Sequence, residues 1–334
     1  MPSVRSSPKP DPDPGWAFEA LGTSWEITTD RALPNAATER VGAELDRIDR
    51  FWSRFRTDST VAEMARSSGR WSVASSDRPL IDWYRTLYTW TGGAVSPLVG
   101  QILDDAGYDA DYSLTPADSI ASARRWDDVI GWDGDELVIH TPTLLDVGAA
   151  GKGFAVDRAA AIIADYVTEF IVDAGGDMVI SPRAEPVRIA LEHPLDATKA
   201  IGVVALAGGA LCGSASNRRA WAHWHHIVDP RTAEPVTDVL ATWVYAGDAM
   251  TADGLATALF FTPAAQLAGV VGADERLRGP RAASAAIGPA APGLSVGADI
   301  AGFRFAADSL VPHHVTIRGA GVEHTMIPGL ELYL

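Results

Sequence analysis

Four short segments between residues 146 and 257 carry residue types that do chemistry: DVGAAGKGFAVD (146–157), VDAGGDMVI (172–180), HHIVDPRT (225–232) and DAMTADGLATALF (248–260). Asp253 and Thr257 stand four apart in a helical stretch, so both side chains project from one face, one turn apart. A carboxylate and a hydroxyl converging in this way suit a hard cation such as Mg²⁺, which takes one or two protein oxygens and completes its shell with phosphate and water. The same pattern also serves a plain helix, with the acid capping a neighbour and the threonine bonding back one turn. Lys152 lies among the glycines of 148–153, where bare backbone can approach an anion and a following helix points its positive end at it. A glycine-rich turn with a solvated lysine has the same signature. The motif is not a P-loop, because Asp146 occupies the first glycine's place and Gly153 the hydroxyl's.

Gly175-Gly176-Asp177 joins two apolar strands and reads either as a simple hairpin turn or as a backbone wall with an acid for a nucleotide amino group. His225 and His226 are neighbours in an extended segment and face opposite sides. His226, with Asp229 close behind, has the chemistry of a general base near neutral pH. A zinc site is disfavoured: no set of four Cys or His ligands forms around His223, His225 and His226, and Cys212 is the lone cysteine. Taken together, the segments read as one site for a phosphate-rich nucleotide and a hard metal ion.

Elements that position these residues follow from periodicity. Residues 17–29 read as two strands around Gly22. Val41, Leu45, Ile48, Trp52 and Phe55 form one helical stripe, and Leu80, Tyr84, Leu87 and Tyr88 another that ends at Gly92 and Gly93. Short strands are expected over 126–147, then helices over roughly 154–166 and 249–261. Between them lie strands broken by glycine and proline turns, and the C-terminal segments close a sheet. Residues 272–300 read as an irregular loop. Helices and strands intersperse without strict alternation, so the fold class is α+β, with mixed or antiparallel sheets and packed helices.

Composition sets the outer limits. The 334 residues carry 27 basic and 43 acidic side chains, a net charge of −16. That balance argues against nucleic acid or an anionic membrane as partner. It also means that a pyrophosphate must be met by a few concentrated cations or a metal. Residues 1–15 read as a disordered Pro/Asp-rich tail, with one domain over 16–334 and its core motifs in 146–262. No apolar run long enough for membrane insertion occurs, one cysteine allows no intrachain disulfide, and a cytoplasmic location is expected.

In order and spacing the four segments resemble the ApbE family, the FAD:protein FMN transferases, over about residues 17–262. Weaker echoes are Leu21-Gly22-Thr23, Ser53-Arg54-Phe55 and Ser96-Pro97-Leu98-Val99. Two segments depart from the family pattern: Gly213-Ser214-Ala215 stands for Thr-Ser-Gly, and the stretch before Pro97 is shortened. The resemblance implies an ApbE-like fold and Mg²⁺-dependent transfer of FMN from FAD to a Thr or Ser hydroxyl of a partner protein, releasing AMP. It implies metal ligation by Asp253, Thr257 and the Gly151 carbonyl, and makes His226 the catalytic base. Gly22, Thr23, Gly151, Lys152, Gly153, Asp157, Gly176, Asp177, Ser214 and Asp229 would bind FAD. No Ser/Thr-Gly-Ala-Thr/Ser motif occurs in the chain, so a protein acceptor carrying one would be a separate chain. An FAD pyrophosphatase giving FMN and AMP, or a non-catalytic FAD-binding or delivery protein, are the alternatives.

Overall fold

Alternation starts the chain: Trp25, Ile27 and Thr29 are buried while Ser24 and Glu26 face solvent. In the computed structural model, which describes residues 15–267, 313–318, 321–324 and 330–332, these residues belong to strand β2 (Thr23–Thr29). Strand β1 (Gly15–Ala20) pairs with it through a two-residue turn in which Leu21 and Gly22 both have positive φ, 51° and 71°.

Six more strands extend the sheet: β3 (Phe170–Ala174), β4 (Met178–Ile180), β5 (Gly209–Ala215), β6 (Ala241–Ala246), β7 (His313–Arg318) and β8 (Gly321–His324). Their spatial order is their chain order, and every neighbouring pair is antiparallel. The sheet is therefore a meander with long insertions. Residues 30–169 supply most of the helical layer. A hairpin of Val187–His193 and Asp196–Leu206, edged by Glu331–Leu332, supplies a second, smaller core around Leu191, Val204 and Leu211. The chain is α+β, as its interspersed pattern predicts.

Four helices matter for the site: α1 (Asn35–Trp52), α2 (Arg78–Trp90), α3 (Gly151–Ile163) and α4 (Ala249–Ala258). Helix α1 buries the expected stripe of Val41, Leu45, Ile48 and Trp52. Helix α4 is apolar almost all round, because it lies between α2, α3 and the sheet. Two glycines permit that position. A Cβ on Gly153 would collide with the Ala249 carbonyl oxygen, and one on Gly254 would collide with Trp83 Nε1. Gly153 is thus a contact point between helices, required by close approach of backbone.

Three local expectations change. Helix α3 begins at Gly151, not near Phe154, because the Gly151 N–H already bonds to the Val147 carbonyl. Lys152 consequently sits in the helix's first turn. Residues Trp126–Val129 form one helical turn before the strands Ile130–Asp133 and Glu136–Ile139. Helix α4 ends at Ala258, three residues short of 261. The loop expected over 272–300 and residues 1–14 of the expected tail lie outside the described residues, whereas Gly15, the tail's last residue, begins strand β1.

Candidate active site

A cleft of about 790 Å³ opens where the β1–β2 turn, the β3–β4 turn, strand β5, the start of α3 and one face of α4 meet. Nine of the predicted residues line it: Gly22, Thr23, Gly151, Lys152, Gly176, Ser214, His226, Asp253 and Thr257. Four others lie elsewhere. Gly153 is in the helix contact described above, Asp177 is buried behind the wall, Asp157 faces the start of α4, and Asp229 pairs with Arg231 at 2.5 Å.

Helix α4 fixes the acidic end of the cleft. Asp248 caps it by accepting the Thr251 N–H at 2.7 Å. Asp157, reaching from α3, accepts the Ala249 and Met250 N–H groups at 2.8 Å each. Two acids therefore hold the helix N-terminus, where its dipole favours negative charge. Asp157 acts on the helix that carries Asp253 and Thr257, and not on the cleft itself. Burial, followed by the nearby Asp248, pushes its carboxyl up to about 7.

That shift has a sign. A folded-state value above the unfolded 3.8 means that the folded chain holds the extra proton between about pH 4 and 7. The stabilisation is complete at low pH and is lost as pH rises through about 7. Asp157→Asn, which keeps one acceptor oxygen, should flatten this slope. Melting temperatures at pH 5.5 and pH 8 check it: the wild type should lose at least about 2 °C more than the variant.

One turn into α4, Asp253 is 4 % exposed and accepts the Gly153 N–H through Oδ2 at 2.9 Å. Burial, then repulsion from Asp177, drives its carboxyl well above the usual range, against the pull of Lys152 and the Gly153 N–H. Lys152 Nζ forms an ion pair with Asp177 Oδ2 at 2.8 Å, and Asp177 Oδ1 accepts the Gly213 N–H at 3.2 Å. Burial alone would lower the lysine's proton affinity, but Asp177 and Asp253 outweigh it and hold the ammonium charged. Two acids thus face one ammonium at a site lined by oxygens, and only one of them, Asp177, is paired with it.

Thr257 completes that oxygen set. Its Oγ1 lies 3.4 Å from Ser214 Oγ and 3.4 Å from the Ala149 carbonyl oxygen. The carbonyl placed against Thr257 is thus Ala149's, two residues before the expected Gly151. Tyr84 fixes this turn, its buried hydroxyl accepting the Ala149 N–H at 2.9 Å.

His226 lies in the cleft wall beyond a short strand, Trp224–His225. Its Nδ1 is buried without a hydrogen-bond partner. Burial, then Arg219 and His225, lowers its proton affinity to a pKa of about 3, so the imidazole is neutral at physiological pH. His225 is the satisfied neighbour: Nε2 meets the Val236 carbonyl at 2.6 Å and Nδ1 accepts the Ile227 N–H at 3.2 Å.

Two further basic residues line the cleft outside the predicted site residues, although Arg54 lies in the Ser53-Arg54-Phe55 echo of the family pattern. Arg54 donates from Nε to Asp146 Oδ2 at 2.6 Å and from Nη1 to the Tyr108 carbonyl at 2.5 Å, and stacks over the Phe55 ring at 4.1 Å. Arg219 stands 6.0 Å over the Tyr108 ring. The polar partners of Arg54 come from distant parts of the chain and Arg219 lies outside the four segments, so spacing assigns neither a role in the site.

The fold and this cleft belong to a known class. The family model for the ApbE family matches residues 21–277, and the chain belongs to that family. It is similar to a protein of Klebsiella pneumoniae (strain 342) named FAD:protein FMN transferase, 27% identical over 266 residues, covering 72% of this chain and 76% of the relative. A protein of the same name from Rhodobacter capsulatus is 28% identical over 282 residues, covering 77% of this chain; the match spans about half (53%) of that relative's length. Family and relatives make the chain an enzyme of the transferase class. Two solved structures share its fold. The ApbE protein from Thermotoga maritima superposes with a TM-score of 0.69 at 22% identity, covering 93% of this chain and 96% of that one. The flavin transferase ApbE from Vibrio cholerae gives 0.64 at 22% identity, with 79% and 92% covered.

Proposed function

We propose that this chain transfers FMN from FAD to a Thr or Ser hydroxyl of a partner protein in a Mg²⁺-dependent reaction that releases AMP. One observation carries the reading: Asp253, Thr257, Ser214 and the Ala149 carbonyl present an all-oxygen donor set beside Lys152, in the same cleft as a neutral His226. The family membership and the names of the curated relatives support it.

The donor set fits Mg²⁺. It offers few protein oxygens, a buried acid that a cation would hold in its ionised form, and room for phosphate oxygens, which is how this ion is usually held with nucleotides. Among the described residues no three His, Cys, Asp or Glu side chains converge as a cage. The metal, when bound, neutralises charge on the phosphates. Asp253, Thr257 and the Ala149 carbonyl are its proposed holders.

The chain's own groups do the rest. Gly22 and Gly176 let backbone line the cleft without side-chain bulk against the nucleotide, and Thr23 stands beside Gly22 with a hydroxyl. Lys152 offers an ammonium held in place by Asp177. His226 takes the proton of the acceptor hydroxyl. The hydroxyl oxygen bonds to the FMN phosphorus, the bond to the bridging oxygen breaks, and AMP leaves with that electron pair. Positioning and charge neutralisation dominate such a transfer, and rigid elements supply both. The acceptor is a separate protein with a Ser/Thr-Gly-Ala-Thr type motif. No helix among the described residues is long and apolar enough to cross a membrane. With one buried cysteine and no disulfide in the chain, the proposal includes the cytoplasm as its place of action.

The test combines purified protein, FAD, Mg²⁺ and an acceptor carrying that motif, and follows AMP release and flavin fluorescence on the denatured acceptor. Covalent labelling that stops with EDTA is the expected result. AMP and free FMN without labelling would replace the transferase reading by hydrolysis.

A further inference from the structure

Five cationic side chains line the cleft: Arg54, Arg56, Lys152, Arg218 and Arg219. Four are already neutralised. Arg54 pairs with Asp146, Arg56 with Asp49 and Asp58, Lys152 with Asp177, and Arg218 with Glu192. Arg219 alone has no carboxylate within ion-pair distance among the described residues. In a chain of net charge −16, an unpaired cation beside such a cleft is unusual. Its position is also specific. The guanidinium stands 6.0 Å from the Tyr108 ring centre, and that of Arg54 stands 4.7 Å from the same ring. Its backbone carbonyl accepts the His226 N–H at 3.1 Å, so Arg219 and the proposed base belong to one local unit.

We infer that Arg219 is the anion receptor of this cleft and binds a phosphate oxygen of the dinucleotide. The inference rests on the FMN-transfer reading and goes beyond it, because it assigns the phosphate contact to a residue outside the four motifs. Guanidinium suits an anion of this kind, because it stays charged and its planar fork matches phosphate oxygens. The other four cations have their charge balanced by a carboxylate, although Arg54 keeps Nη2 without a hydrogen-bond partner, so Arg219 brings the one cleft charge that no carboxylate balances among the described residues.

A second consequence concerns His226. Beyond burial, the groups acting on its proton affinity are Arg219, His225 and Lys152, which lower it, and Asp146, which raises it. A phosphate on Arg219 cancels part of the first contribution. The imidazole then gains proton affinity when the nucleotide binds, at the stage when it must take a proton.

The experiment is a flavin-fluorescence titration, without Mg²⁺ or acceptor, of wild type, Arg219→Ala and Arg219→Lys with FAD and with riboflavin. Riboflavin carries the ring but no phosphate. The expected result is that Arg219→Ala weakens FAD binding about tenfold or more, leaves riboflavin binding unchanged, and reduces the salt dependence of FAD affinity. Arg219→Lys should recover part of the loss. Because Arg219 is exposed, the substitutions should leave the melting temperature unchanged. FAD binding equal to wild type in Arg219→Ala would overturn the assignment. A wild type that binds FAD no better than riboflavin would instead overturn the flavin-nucleotide reading beneath it.

Discussion

Asparagine in place of Asp253 is expected to abolish Mg²⁺-dependent AMP release and, at neutral pH, to make the protein more stable. Both effects have one cause. The Asp253 carboxylate is buried, faces Asp177, and is compensated only by Lys152 and the Gly153 N–H. Its folded-state proton affinity is raised, so protonation is favoured by folding; this contribution is present at low pH and is lost as pH rises through the raised value. Between the ordinary carboxylate range and that raised value, folding must take up a proton at Asp253, which opposes folding as pH rises, and a metal ion on the carboxylate would relieve it. Asparagine keeps an oxygen for the Gly153 N–H and removes the charge. A stability gain of about 1–3 kcal/mol follows from replacing a buried, under-compensated acid by a neutral amide. Catalysis should fall by about a thousandfold or more, ~4 kcal/mol of barrier. Thermal melts with and without Mg²⁺ check the link. The wild type should gain stability from the metal, and the variant should not. Wild-type turnover in Asp253→Asn would remove the metal assignment.

The same residue shows why parts of the site can be read from the chain alone. Asp253 and Thr257 share a face because a helix repeats every 3.6 residues, and that needs no knowledge of neighbours. The Leu21-Gly22 turn is equally local. The glycines are harder. Gly148, Gly151 and Gly153 look alike in sequence, yet Gly151 lines the cleft while Gly153 exists for the Ala249 carbonyl, almost a hundred residues away along the chain. Acids share this ambiguity. Asp177 and Asp157 sit in motif segments, but one holds Lys152 from behind the wall and the other holds the N-terminus of α4. Their motifs mark them as important without saying which partner they face. Arg219 is the opposite case. It has no motif of its own, and only the pairing of the other cleft cations with carboxylates singles it out.

Replacing His226 by glutamine should reduce flavin transfer to the acceptor protein by about 10²–10⁴-fold, the usual worth of a positioned base. FAD binding should change little, because an amide fills similar space and Arg219 and Lys152 remain. The pH behaviour separates this role from a structural one. Burial, then Arg219 and His225, hold the free-cleft imidazole at about 3, against an ordinary 6.5. The neutral base is therefore already present at pH 5, and the free enzyme should show no histidine limb between pH 5 and 8. Stability should respond with the opposite sense to Asp253. An unfolded chain binds the His226 proton below about 6.5 and the folded chain does not, so this contribution is full above 6.5 and is lost as pH falls towards 3. His226→Gln removes that acid penalty, and the variant should outlast the wild type in thermal melts at pH 5 while matching it at pH 8. Slow transfer with this melting pattern would fit a desolvated base. Unchanged transfer would mean that the acceptor hydroxyl loses its proton to another group of the cleft.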